Sequence, residues 1–491
     1  MTGIEVGARR SGDASYGRVD DDRRAGGDVV APSREDPVVR AGSEVVGGPL
    51  GRRARTGGGW WTPLRVLMAL VFLTCGLGLI QKEPCRSGGF GAPGVYSHGC
   101  YSDIPPLFAG RGLADGEVPY VDQPAEHRVE YPVLTGAVMW ATAALVPEDS
   151  ADRARWFFDI NAVGLALCAA VVVAATALTA GRRPWDAAMV ALAPGLALAG
   201  TINWDLYAVA LLSLSLLAWS RERPGWAGVL LGLSAAAKFY PLLVLGPLLL
   251  LCLRTGRMRE LRVAAGSAAV AWLMVNLPVM LADFDGWAYF YVFNRERGES
   301  WGSLWVVLTQ QGHGVPKDSL NMLSGGLFAL ACLGVAVLAL GARRRPRLAQ
   351  LLFLVVAAFL LTNKVYSPQY VLWLIPLAVL ARPRWRDFLI WQACEVLHFV
   401  GTWLFLLGTV DTEVTANRSL GDDPYGMLVG LHVAGTLYLA VLVIRDVLRP
   451  EHDPVRADGS DDPGGGVFDG ARDVRRLSVG TSAGRPDPAR S

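Results

Sequence analysis

Five ionisable residues stand where an apolar sequence has least reason to keep them. Asp103, Glu130, Asp205, Lys238 and Lys364 each fall at the end of an apolar segment or in a turn beside one. Charges at such positions are costly unless they face protein or water, so these residues are functional candidates. Carboxylates and lysines gathered on one face suit a phosphate plus hydroxyl groups, because lysine binds phosphate as a compact point charge. A carboxylate there can also take the proton of a hydroxyl as its oxygen attacks an electrophile. Each residue has a plainer reading. Asp103 and Asp205 stand where helix N-caps stand, and Lys238 and Lys364 have stems long enough to reach lipid headgroups. Glu130 follows His127 and Arg128 in a polar loop. The acids of Asp283-Phe284-Asp285 resemble a metal-binding pair, but two acids in a loop make a weak signal. His313, His398 and His432 are scattered and take no role.

Apolar helices must position these groups. The chain of 491 residues is 52% hydrophobic and only 18% charged, with mean hydropathy +0.32, whereas a soluble domain is about 25% charged. Repeated long apolar runs then give an all-α polytopic membrane protein. A net charge of +2 gives nucleic-acid binding no support. Neither a Walker sequence nor a GxGxxG following a strand is present, so no nucleotide site is assigned. No internal repeat of the inverted kind found in many transporters is visible.

Basic turns set the expected topology. Arg182–Arg183, Arg221 and Arg223, Arg254 to Arg262, Arg343 to Arg347, Arg382 to Arg386, and Arg445 with Arg449 punctuate the apolar runs. The turns between them are of another kind: TINWD (201–205), KFYP (238–241), the loop from Asp283 to about Ser319, NKVYSPQY (363–370) and the acidic loop 409–424. The positive-inside rule places the arginine turns in the cytoplasm and the others outside. Arg52, Arg53 and Arg55 put the N-terminus inside, so Asp103 follows one crossing and lies outside. The run from Trp156 to Ala180 returns the chain to Arg182, which leaves no crossing for residues 131–146. That segment is expected to be an interfacial or re-entrant helix. About twelve crossings result, with both termini cytoplasmic. Residues 1–59 and 446–491, rich in Gly, Asp and Arg, read as disordered cytoplasmic tails flanking a membrane domain at 60–445. Loop 282–319 mixes aromatics with charges, as a helix at headgroup depth does. Cys85 and Cys100 share the first external loop and can pair if it meets an oxidising exterior.

Five stretches in one order, SDI, GRGLADGEVPY with EYPVLTG, NWD, GLSAAAKFYP and NKVYSPQYVLWL, resemble actinobacterial glycosyltransferase family 87 over about residues 60–445. NKVYSPQY is the most distinctive of them. The resemblance implies a GT-C fold with external juxtamembrane helices and a catalytic carboxylate in the first external loop, here Asp103. It also implies inverting transfer from a polyprenyl-phosphate sugar, mannose or alternatively arabinose, to an external lipid or glycan. Substrate contacts are assigned to Glu130, Asp205, Lys238, Tyr240, Lys364, Tyr366 and Gln369, all in these stretches. No cofactor is expected beyond the lipid-linked donor, and no metal ligand is assigned, though the acids of 283–285 leave metal dependence open. The expected setting is the plasma membrane, with the site on its external face. A transporter or lipid-linked sugar flippase is the rival reading; it predicts polar groups at mid-bilayer and a path open to both faces. A structural scaffold would leave Asp103 dispensable.

Overall fold

The computed structural model describes residues 29–30, 36–51, 60–410 and 418–477. The basic run at Arg52, Arg53 and Arg55, and residues 411–417 of the acidic loop, lie outside the described residues. Helices account for nearly all regular structure, and no strand occurs among the described residues.

Helix α1 (Pro37–Gly51) precedes α2 (Pro63–Gly88), and the first loop then holds α3 (Ile104–Gly110) and α4 (Val133–Ala143). Next come α5 (Arg153–Thr179), α6 (Asp205–Ser220), α7 (Pro224–Ala237), α8 (Leu245–Thr255) and α9 (Met258–Ala282). The second large loop carries α10 (Phe284–Glu296) and α11 (Leu304–Gln310). The last elements are α12 (Lys317–Gly341), α13 (Leu348–Thr362), α14 (Val371–Ala381), α15 (Trp385–Leu407) and α16 (Asp422–Leu448).

Six of these, α2, α5, α9, α12, α15 and α16, are long and apolar enough to cross a bilayer. The other apolar helices have 10–17 residues, which at about 1.5 Å per residue is shorter than a core of about 30 Å. The expected count of about twelve therefore requires half-length helices to cross as well. Helix α4 has 11 residues, so it spans only about half of such a core. It is tied to the end of α7, with Thr135 Oγ1 donating to the Ala237 carbonyl at 2.7 Å. Where one helix was expected in the loop of mixed aromatics and charges, there are two, α10 and α11.

Small residues let the short helices approach closely. A Cβ at Gly228 would stand 2.1 Å from the Ala264 carbonyl oxygen, and one at Gly232 would stand 2.2 Å from that of Ala268. This spacing of small residues on both α7 and α9 brings backbones together without a hydrophobic driving force. Hydroxyls add bonds between α6 and α7: Ser215 donates to Ala227 and Ser234 to Ala208, each at 2.7 Å.

The C-terminal segment differs from the expected tail. Residues 450–477 fold against the arginine turns rather than running free. Arg347 grips Asp453 through two bonds of 2.8 and 3.0 Å and also donates to the Leu380 carbonyl at 2.8 Å. Arg345 reaches Asp461 at 2.8 Å and Asp473 at 3.1 Å, while Arg254 reaches Asp473 at 2.7 Å. Phe468 is fully buried against Trp219, whose Nε1 donates to Gly465 at 2.9 Å. A composition poor in apolar residues concealed this, because the segment is held by charges of other elements rather than by a core of its own.

Candidate active site

The first loop is fixed before it reaches Asp103. A disulfide joins Cys85 to Cys100, as the sequence allowed. Lys82, fully buried near the end of α2, donates its Nζ to the Tyr101 carbonyl at 2.8 Å. Ser102 Oγ donates to the Thr201 carbonyl at 2.8 Å, and the Asp103 N–H donates to the Ile202 carbonyl at 2.7 Å. SDI is thus clamped onto the residues just before NWD.

Asp103 occupies the N-cap position of α3, yet its side chain caps nothing. Ser102 Oγ accepts the Ile104 N–H at 3.2 Å instead. The carboxylate is left to Tyr101, whose hydroxyl donates at 2.8 Å, and to Tyr131 at 3.4 Å. Its exposed part faces a cavity of about 530 Å³. Burial raises its pKa to about 6, with the Tyr101 hydrogen bond and then Lys238 opposing the rise. A free aspartate titrates near about 3.9.

NWD divides its labour. Asn203 lines the cavity, and its Oδ1 accepts the Asp205 N–H at 3.0 Å in the turn that leads into α6. Trp204 is buried, its Nε1 donating to Asn161 at 2.6 Å. Asp205 pairs with Lys238 at 2.7 Å and accepts from Trp373 Nε1 at 2.8 Å. Lys238 is therefore held inward rather than reaching for headgroups. Its Nζ stands over the rings of Tyr131, Tyr370 and Trp373 at 5.1–5.8 Å. Tyr240 stacks on Trp373 with ring centroids 4.1 Å apart, forming an aromatic wall.

The second loop closes the other side. Gly286 allows α10 to lie on the first loop, since a Cβ there would stand 2.0 Å from the Tyr120 carbonyl oxygen. Phe290, Phe293, Asn294 and Arg297 then line the cavity. Lys364 Nζ donates to the Arg295 and Arg297 carbonyls at 3.0 and 2.6 Å, capping the end of α10. Burial, and then the neighbouring Arg297, lower its pKa below that of a free lysine. Arg297 itself has its guanidinium 5.5 Å from the Phe293 ring. Glu130 lies in the wall and accepts from Arg111 Nε at 2.7 Å.

These walls offer a partly protonatable carboxylate, several cations, side-chain amides and stacked aromatics around one space. That inventory suits a sugar bearing a phosphate. The profile of glycosyltransferase family 87 matches residues 130–362. That match supports placing the chain in glycosyltransferase family 87. The chain is accordingly a glycosyltransferase, and its long apolar helices make it a membrane protein. No curated protein matches it. The matched stretch holds Glu130, Asp205, Lys238, Tyr240 and Arg297, while Asp103 precedes it and Lys364, Tyr366 and Gln369 follow it.

Of the residues assigned from the glycosyltransferase sequence, Asp103, Glu130, Lys238, Tyr240, Lys364 and Gln369 line the cavity. Asp205 stands behind Lys238 and orients it. Tyr366 lies away from the cavity: its hydroxyl donates to buried Glu395 at 2.7 Å, and its ring packs on His398 and His432. Asp283 is an N-cap, accepting the Gly286 N–H at 2.8 Å, which accounts for half of the apparent metal-binding pair. Sequence reasoning missed Arg297, Tyr101, Tyr131 and Trp373. A basic residue inside the aromatic loop was the available signal for Arg297; the three aromatics are indistinguishable from core residues by type.

Proposed function

We propose that this glycosyltransferase moves a single sugar, mannose in our reading, from a polyprenyl-phosphate donor to a lipid or glycan acceptor. The reaction takes place on the external face of the plasma membrane with inversion at the anomeric carbon. Asp103 is the general base. The observation that carries the reading is a carboxylate released from helix capping and facing a cavity lined with cations, with a proton affinity near neutrality.

In the proposed step Asp103 takes the acceptor hydroxyl proton as that oxygen bonds to the anomeric carbon. The bond from that carbon to the donor phosphate oxygen breaks, and the electron pair leaves with the polyprenyl phosphate. Arg297 is best suited to meet the developing charge, having no side-chain hydrogen bond among the described residues. Lys238 and Lys364 are already engaged, with Asp205 and with backbone carbonyls respectively. Asn203, Asn294, Asn363 and Gln369 supply partners for sugar hydroxyls. An external site has no access to cytoplasmic nucleotide sugars, which supports a lipid-carried donor.

The test is transfer by the purified full chain, comparing polyprenyl-phosphate-mannose, polyprenyl-phosphate-arabinose and a nucleotide sugar with a mixed lipid acceptor. The mannose carrier should be used, and Asp103→Asn should abolish its use. Transfer from the nucleotide sugar alone, or retained activity in Asp103→Asn, overturns the proposal.

A further inference from the structure

Tyr366 leads away from the cavity to a second cluster that the transfer chemistry does not use. Glu395 and His398 stand three residues apart on one face of α15, and His432 faces them from α16. All three are buried, with relative exposures of 4%, 0% and 1%. One ligand atom from each lies within 4.8 Å of the others. His432 Nδ1 is 3.6 Å from Glu395 Oε1, and the two imidazole centroids are 4.3 Å apart.

The pattern of bonds around the cluster is informative. Nδ1 of His398 and Nδ1 of His432 are buried with no hydrogen-bond partner among the described residues. The remaining nitrogen of each ring is placed to donate outward. His432 Nε2 lies 3.1 Å from the Gly302 carbonyl, and His398 Nε2 lies 3.4 Å from Thr402 Oγ1. If Nε2 carries the proton in both rings, two lone pairs point inward beside a carboxylate oxygen. The carboxylate is oriented by Tyr366 at 2.7 Å, Trp391 Nε1 at 3.1 Å and Thr436 at 3.3 Å. No lysine or arginine pairs with Glu395 among the described residues. A buried carboxylate facing two imidazole lone pairs lacks only a positive charge.

We propose that Glu395, His398 and His432 bind a divalent transition-metal ion, zinc foremost. Two imidazoles and one carboxylate favour such an ion over magnesium or calcium. Outward hydrogen bonds that fix ring orientation and carboxylate angle are what metal ligands commonly have. The ion lies outside the transfer cavity and takes no part in the reaction. It joins α15 and α16 to Gly302, five residues after Arg297, and to Tyr366, two residues after Lys364, so it positions the two loops that carry Arg297 and Lys364.

The full chain, purified in detergent without chelators, should contain close to one equivalent of zinc by elemental analysis. Stripping the ion should lower Tm, and zinc should restore it; cobalt in its place should give visible ligand-field absorption. His432→Gln and His398→Gln should each cut the zinc content at least about tenfold. Negligible metal in the wild-type protein, with Tm unmoved by added zinc or cobalt, overturns the proposal and leaves a hydrogen-bonded network. The wild-type measurements decide the matter even if a variant fails to fold.

Discussion

The two ends of the helical bundle use charge in opposite ways. At the end of α13 that holds Arg347, arginines and aspartates are paired with one another: Arg347 with Asp453, Arg382 with Asp387 and Asp446, Arg345 with Asp461 and Asp473. At the other end of the same helix, beyond Thr362, Lys238 and Glu130 are paired, but two charges that face the cavity keep capacity in reserve. Among the described residues the Asp103 carboxylate has only tyrosine hydroxyls as hydrogen-bond partners, and the Arg297 guanidinium has only a ring. Desolvated charges that are fully paired hold structure, and removing one partner strands the other. Charges left partly unpaired beside a cavity are free to act on whatever enters it.

Exchanging the assault between the two ends tests the contrast. Asp103→Asn should lower transfer by about 10³-fold, within the range for a general base, while leaving Tm unchanged. In the wild-type enzyme kcat/KM should fall about tenfold per pH unit as pH drops below about 6, because the base is active only when ionised. A large drop in Tm for Asp103→Asn would show that the cavity end is structural too. At the other end, Asp453→Ala leaves buried Arg347 unpaired and should destabilise the protein by about 3–5 kcal/mol. Denaturant titration measures that loss, and the folded fraction should retain normal donor KM. An Asp453→Ala variant as stable as wild type would return the C-terminal segment to the status of a tail.

Arg297→Ala should raise the donor KM about tenfold or more, the scale of a lost hydrogen bond to a charged group. Arg297→Lys should recover part of it, since lysine keeps the charge but not the planar fork. Unchanged kinetics in Arg297→Ala would shift the phosphate to the two lysines.

The sequence made one end far more legible than the other. Asp103, Lys238 and Lys364 could be found because a charge beside an apolar run is rare, and the arginine turns told which runs ended together. Residues 450–477 were opaque: Asp453 and Asp473 find their arginines about a hundred residues or more away, and no local pattern encodes that. Tyr366 was misplaced for a different reason. It lies in an irregular stretch, 363–367, with no helical period to say which side faces the cavity. Gln369 lies in the short turn Pro368–Tyr370 and does face it. His398 and His432 looked scattered because they are 34 positions apart in the chain, and only the antiparallel pairing of α15 and α16 brings them together.

Tyr240 gives the smallest and most discriminating effect, because its two parts behave differently. Its ring belongs to the cavity wall and stacks on Trp373. Its hydroxyl, however, is turned into protein and has no hydrogen-bond partner among the described residues. A buried hydroxyl without a partner costs stability, so Tyr240→Phe keeps the wall and should stabilise the protein by up to about 1 kcal/mol. Donor and acceptor KM should be unchanged, since no substrate atom reaches the removed oxygen. Tyr240→Ala should instead damage binding, because it opens the wall beside Lys238. A rise in KM for Tyr240→Phe would mean that the hydroxyl turns into the cavity when substrate binds, and that this end of the bundle rearranges during the reaction.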